Sequence, residues 1–258
     1  MRRYTGFLAF ALMAALSLWF GLGEKGGNRP TPPPATQQQP APQPVPTAQP
    51  KPARPAEKPV QKTSLPATER GFDYYVLSLS WSPSYCQSDE GAGNRQQCGS
   101  NRDLSLVVHG FWPQFVDGYP QFCGSSEPER VPDDLARRQL DLLPSVGLVG
   151  HQWRKHGTCS NLSQRDYFAK LRAAWNQLKL PSDLSNANQQ KTLSTDRIVS
   201  QLTAANPGLT ASAIDVTCDG SKLDEIRICL NKDLSYRECS GDNRRVCRRD
   251  RLVLPAAP

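Results

Sequence analysis

The chain has 258 residues and a formal net charge of +7, but neither composition nor charge is uniform along it. Of 23 prolines, 13 fall between Pro30 and Pro66, a 37-residue stretch without an aromatic side chain, which cannot bury enough apolar surface to offset the entropy of ordering it. Residues 1–68 hold 8 Lys/Arg and 2 Asp/Glu, leaving 23 bases and 22 acids in the 190 residues that follow; the overall charge is therefore no evidence of nucleic-acid binding by a folded part, and heptads, collagen periods and repeats are absent.

The amino terminus opens with Met1-Arg2-Arg3 and an apolar run from Thr5 to Leu22, the pattern of an export signal. At 18 residues the run is close to the ~20 that cross a bilayer, and no small-x-small cleavage site precedes Glu24. Residues 1–24 therefore read either as a removed signal peptide or as a membrane anchor through residues 5–22 with its positive residues inside. Residues 25–68 read as a Pro-rich disordered linker, stiff and extended at about 3 Å per residue. Both readings export the rest of the chain, 69–258, to the periplasm or beyond the cell as one domain.

Cysteine usage agrees with export. All eight cysteines (Cys86, Cys98, Cys123, Cys159, Cys218, Cys229, Cys239 and Cys247) lie in the part after residue 68, and an even number in an oxidising compartment reads as four disulfides with 105 connectivities open. A zinc site is the rival reading, but close Cys-x-x-Cys pairs are missing, and neither of the nearest cysteine pairs stands beside a histidine pair.

Phe72 to Trp81 is aromatic and β-branched, alternates towards its end, and reads as a strand stopped by Pro83. Leu104 to Val108 is a short apolar strand that runs into His109. Pro132 to Leu143 reads as a helix with acidic residues in its first turn and Pro144 as its stop. Gln164 to Leu180 is the clearest helix, with Ser163 as its cap and Tyr167, Phe168, Leu171, Trp175 and Leu178 at three- and four-residue spacing. A shorter helix spans Asp196 to Ala205, and a strand spans Glu225 to Leu230 with Ile226, Ile228 and Leu230 inward. Strands and helices do not interleave regularly, which favours α+β over a parallel doubly wound sheet.

The three histidines are the most informative residues. His109 opens His109-Gly110-Phe111-Trp112-Pro113, and His151 and His156 bracket the run from His151 to Cys159. Each segment pairs a histidine with a glycine, which allows close approach or positive φ, and each carries a tryptophan. Imidazole is the side chain suited to giving and taking protons near neutrality, and a reaction that needs one base and one acid needs two of them. A metal site is the alternative, yet His151 and His156 are five apart, about 140° around a helix, not on one face. A Cys159 thiol activated by His156 is a third reading, which the even cysteine count opposes.

HGFWP and HQWRKHGTC resemble the two active-site segments of the ribonuclease T2 family, and FDYYVLSLSWSPSYC resembles that family's opening strand; the resemblance covers about residues 70–250. It implies a single α+β domain, a mainly antiparallel sheet flanked by helices and stapled by four disulfides. It also implies metal-independent, cofactor-free endonucleolytic cleavage of single-stranded RNA. The ribose 2′-hydroxyl would attack the adjacent phosphorus to give a 2′,3′-cyclic phosphate, so no DNA substrate is expected, and the enzyme is expected to be a monomer.

By position in these motifs His156 would be the base and His109 the acid, an order that could be reversed. Lys155 would stabilise the phosphorane and His151 would hold the phosphate or orient the substrate. Trp112 would stack a base or serve as a buried structural residue, Tyr119 is a weaker stacking candidate, and Trp153 reads as core. One position departs from the pattern: Gln152 stands where the family usually has Glu, and an amide cannot be the anion that raises a histidine pKa. Gln152 is expected to keep a positioning role; otherwise the chain is a catalytically weakened RNA-binding relative. Gln114 likewise replaces a frequent Asp, so no base preference transfers. The resemblance pairs Cys86 with Cys98, Cys123 with Cys159, Cys218 with Cys247 and Cys229 with Cys239. Arg154 and Lys155 would supply local attraction for RNA, while Arg244, Arg245, Arg248, Arg249 and Arg251 read first as a solvated basic tail.

Overall fold

The computed structural model describes residues 71–240 and 247–257; the leader or anchor, the Pro-rich linker, and Arg244 and Arg245 lie outside the described residues. Six strands form one sheet: β1 (Tyr74–Trp81), β2 (Leu106–Gln114), β3 (Lys191–Leu193), β4 (Ile214–Asp219), β5 (Lys222–Leu230) and β6 (Leu252–Leu254). The order is β2-β1-β5-β6-β3, with β4 also paired to β5, and every pairing is antiparallel except the parallel contact of β5 with β6. Helices α1 (Ser82–Cys86), α2 (Arg95–Cys98), α3 (Asp133–Arg137), α4 (Val146–Lys155), α5 (Gln164–Asn176), α6 (Ser182–Ser185) and α7 (Thr195–Ala205) complete an α+β domain. Among the described residues no helix is long and apolar enough to cross a membrane.

The two faces of β1 do different work. Tyr75, Leu77, Leu79 and Trp81 point into the main core with Ile226, Ile228 and Leu230 of β5 and Phe111 of β2. Helix α5 closes that core with Tyr167, Phe168 and Leu171 of the expected stripe and with Ala174, while Trp175 and, beyond the helix end, Leu178 are only partly buried. Tyr75 stacks on Phe111 at 4.1 Å, and the Tyr167 hydroxyl donates to the Phe111 carbonyl at 2.8 Å, which fixes α5 against β2. The opposite face of β1 carries Tyr74, Val76, Ser78 and Ser80, and it is this face that meets the candidate site.

Two predicted helices end early, each for a local reason. After Arg137 the chain leaves α3 in turns, because the Leu142 carbonyl accepts the Val108 amide at 3.0 Å while Leu142 and Leu143 sink into the core. After Asn176 the buried side chain of Asn206 takes both backbone groups of Lys179, at 2.6 and 2.9 Å, and holds Gln177–Leu180 out of the helix. β2 runs past Val108 to Gln114, further than its apolar residues indicate, because Gly110 to Gln114 continue the antiparallel ladder opposite Ser78 to Tyr74 of β1.

All four disulfides are those the family resemblance implied: Cys86–Cys98, Cys123–Cys159, Cys218–Cys247 and Cys229–Cys239. Cys123–Cys159 closes 36 residues and ties the loop after β2 to the end of α4, beside the Phe122 amide that donates to the Lys155 carbonyl at 2.9 Å. Replacing both cysteines by serine is expected to lower unfolding free energy by about 3–4 kcal/mol, the chain-entropy value for a loop of this length. Denaturant titration of the oxidised protein and the double variant measures it; equal midpoints would show that the crosslink restricts nothing.

Candidate active site

Strand β2 delivers its histidine through a defect in pairing. Val108 is opposite Leu79 and Gly110 opposite Ser78, which leaves His109 as the extra residue of a β-bulge. The bulge slips the side-chain alternation by one position. Val108 and Phe111 both stay in the core, while His109 and Trp112 emerge on the other face.

That face has a low floor. Ser78 and Ser80 of β1 and Gly110 of β2 carry little side chain, so groups from two strands, β2 and β5, and one helix meet above them. Gly110 is required by close approach: a Cβ there would sit 2.0 Å from Trp112 Nε1 and 2.3 Å from Gln152 Oε1. Those two atoms form a 3.0 Å hydrogen bond in which the indole N–H donates to the amide oxygen.

Helix α4 supplies the second set of groups. Ser145 caps it by accepting the Leu148 amide, and His156 forms its carboxyl-terminal cap, with its own amide bonded to the Gln152 carbonyl. Trp153 is fully buried in the core, its indole N–H donating to the Pro128 carbonyl at 2.8 Å, as the sequence led us to expect. Gln152 and His156 are buried as well, whereas His151 is exposed and Lys155 half-buried. Gly157 also serves close approach, since a Cβ there would lie 2.3 Å from the Trp153 ring.

Trp112 is the centre of the arrangement. The His109 ring meets it edge-on at 5.4 Å, the His156 ring lies 5.4 Å away at 31°, and the Arg227 guanidinium stands 5.3 Å from its centroid. Both histidines therefore border one indole, with Gln152 bonded to that indole and Lys155 next to His156 in the chain. Tyr119 lies apart from this cluster, 46% exposed on the loop that follows β2.

Charge is distributed unevenly over the site. Burial, with the nearby positive charges of Lys155, His151 and His109, lowers the His156 imidazole to about 3. His151 is also lowered, by burial and by Lys155, Arg154 and His109. His109 instead bonds through Nδ1 to the Glu225 carboxylate. Burial alone would raise Glu225, but His109 and Arg227 outweigh it and hold the carboxyl at about 2. Arg227 binds the other carboxylate oxygen with two N–H groups, at 2.6 and 2.8 Å. Gln152 Nε2 and His156 Nδ1 are buried without a hydrogen-bond partner among the described residues.

Glu225 and Arg227 escaped the sequence reading. The signal was present in part, because Ile226, Ile228 and Leu230 inward place Glu225 and Arg227 together on the other face of β5. What no local pattern reveals is that this face points at His109, 116 residues away. Among the described residues, no group of three or more His, Cys, Asp or Glu side chains is placed to hold a metal ion.

The sequence model of the Ribonuclease T2 family matches residues 72–239. Among curated proteins, a probable ribonuclease from Haemophilus influenzae is 34% identical over 181 residues, covering 66% of this chain and 61% of that protein. A ribonuclease from Aeromonas hydrophila is 45% identical over 96 residues, covering 37% of this chain and 41% of its own length. The chain thus spans less than two thirds of these relatives. Among solved structures, an RNase-related protein from Calystegia sepium shares the fold at a TM-score of 0.56 and 20% identity, over 72% of this chain and 98% of that one.

Proposed function

The chain belongs to the Ribonuclease T2 family, and from that premise we propose that it is an endoribonuclease that cleaves single-stranded RNA without a metal or cofactor. The observation that carries this reading is the approach of His109 and His156 to one indole, each 5.4 Å from Trp112, with Lys155 adjoining.

Transfer of a phosphoryl group to a neighbouring hydroxyl needs a base, an acid and a cation. His156, kept neutral by burial, takes the 2′-hydroxyl proton as the O2′–phosphorus bond forms. The negative charge of the bound phosphodiester offsets the neighbouring cations and strengthens His156 as a base at that moment. His109 gives its proton to the departing 5′-oxygen as the phosphorus–O5′ bond breaks, which leaves a 2′,3′-cyclic phosphate and a free 5′-hydroxyl. Slower hydrolysis follows with water in place of the 5′-hydroxyl and the two proton roles reversed. Lys155 meets the charge that builds on the phosphoryl oxygens, and Gln152 Nε2 offers them a buried N–H that no group among the described residues accepts. His151, exposed at the rim, holds the flanking phosphate.

Trp112, half-buried, holds both imidazoles and offers a base the part of its ring that stays exposed, with Tyr119 as an outlying platform. A stacked base contributes roughly 1–3 kcal/mol. DNA is no substrate in this scheme, since it lacks the 2′-hydroxyl that attacks. The enzyme acts as an exported monomer, as a domain over 69–258 delivered by residues 1–24 and spaced by 25–68.

The test is cleavage of single-stranded RNA in excess EDTA with analysis of the product ends. Cyclic-phosphate ends formed under chelation are the expected result. RNA binding without cleavage identifies a weakened relative instead, and activity lost on chelation identifies a metal-dependent hydrolase.

A further inference from the structure

We propose that Glu225 is the positioning residue of His109: across the middle strand of the sheet its carboxylate accepts the Nδ1 proton, leaving Nε2 to meet the leaving oxygen, and it supplies the anion that Gln152 cannot. The chemistry rests on the nuclease reading above, whereas the hydrogen bond is tested without turnover.

Three features build the pair. The first is distance across the sheet. β2 and β5 both flank β1, so His109 and Glu225 belong to strands separated by a third. Strands lie about 4.8 Å apart, so the two side chains must bridge roughly 10 Å of backbone. They do so because Ser78 and Ser80 lie between, opposite Gly110 and Arg227 and opposite Glu225 respectively. A branched or aromatic residue at Ser78 would fill the gap.

The second feature is that both ends are built at irregularities. His109 is the bulged residue of β2. Glu225 lies where β4 and β5 shift register between Val216 and Cys218, and there Thr217 accepts the Glu225 amide at 3.0 Å and donates to Asp224 at 2.9 Å. Each bulge turns its residue towards the other.

The third feature is satisfaction of the carboxylate. Its side chain is 5% exposed, and a buried carboxylate is costly unless each oxygen is engaged. One oxygen takes His109, and the other takes the paired N–H groups of Arg227. Arg227 in turn lies over Trp112, so the anion, the indole and the imidazole are locked together. A hydrogen-bonded carboxylate fixes which ring nitrogen carries the proton. With Nδ1 committed to Glu225, Nε2 is the nitrogen left to meet the leaving oxygen.

The other charged groups around the pair are Arg227 and Asp224 on β5, and His151, Lys155 and His156 from α4. The α4 groups are positive or neutral, and Glu225 is the anion bonded to His109.

The test uses the full chain and begins with nitrogen NMR of labelled histidine in the unmutated protein. A proton on His109 Nδ1 at neutral pH, hydrogen-bonded and shifted far downfield, is expected. A lone pair at Nδ1 there overturns the proposal whatever the activity. Glu225→Gln, which keeps shape and removes the anion, is expected to lower kcat about 10–100-fold with KM little changed, the range for losing an outer partner that orients an imidazole. Its kcat/KM profile against pH departs from that of the unmutated enzyme, a change that loss of packing alone would not produce. Glu225→Asp recovers part of the rate. If Glu225→Gln keeps the unmutated rate and pH profile while folded, Glu225 does not position His109. Should the unmutated enzyme fail to cleave RNA at all, the nuclease reading falls, and the NMR result still decides the pair.

Discussion

Replacing His109 by alanine lowers kcat/KM on single-stranded RNA by about 10²–10⁴-fold, the usual worth of one proton-transfer group, and leaves RNA affinity within a few fold. His156→Ala has a loss of the same order. The double variant loses far less than the product of the two, because the histidines act on one reaction coordinate and the second deletion removes little that the first has spared. Single-turnover cleavage, with affinity measured on a 2′-deoxy analogue that binds without reacting, separates the effects. A His109→Ala enzyme that turns over at the unmutated rate would remove His109 from the mechanism.

The two single variants differ in the cause of their stability loss and in its dependence on pH. His109→Ala leaves Glu225 buried with Arg227 as its remaining side-chain partner, an unpaired acceptor worth about 1–3 kcal/mol of destabilisation. His156→Ala removes a buried imidazole whose folded pKa of about 3 lies below its ordinary 6.5. The unfolded chain then binds a proton that the folded one refuses. The stability contributed by neutral His156 is full above pH 6.5 and lost as pH falls from there towards 3. Acid unfolding of His156→Ala is therefore shallower over that window than that of the unmutated protein, at the cost of the cavity left behind.

Local sequence carried most of what builds the core and half of what builds the site. The α5 stripe and the inward Ile226, Ile228 and Leu230 are legible because burial against one face imposes a period. The histidine segments are legible because their residue types suit proton transfer and recur beside glycine. The bulge at His109 is not, since it is a property of pairing between two strands and neither strand encodes it alone. Nor is the role of Gln152. In the chain it is a lost carboxylate, but in the fold it is the acceptor for Trp112, while a different carboxylate arrives from β5. The glycines of the two His-Gly pairs left close approach and positive φ both open; the contacts at Gly110 and Gly157 select close approach, and neither residue has a positive φ.

Trp153→Ala is expected to cost about 3–5 kcal/mol of unfolding free energy, the range for emptying a large aromatic site in a packed core. Trp153 is fully buried, meets Tyr167 at 5.9 Å, and donates to the Pro128 carbonyl, so truncation opens a cavity and removes a hydrogen bond, leaving that carbonyl to Gln164 Nε2 at 2.6 Å. The loss reaches the chemistry as well. Trp153 lies between Gln152 and the Lys155-His156 pair on the same turn of α4, and its ring fills the space that Gly157 leaves. With that ring gone, the turn is free to repack towards the core and draw His156 away from Trp112. Activity of folded Trp153→Ala should then fall although no reacting group has changed, and Trp153→Phe should restore most of the packing and most of the rate. Thermal unfolding and cleavage assayed well below the transition measure the two losses separately. Full activity in folded Trp153→Ala would mean that the α4 turn is held by its disulfide and cap alone, with the core beneath it irrelevant to the geometry above.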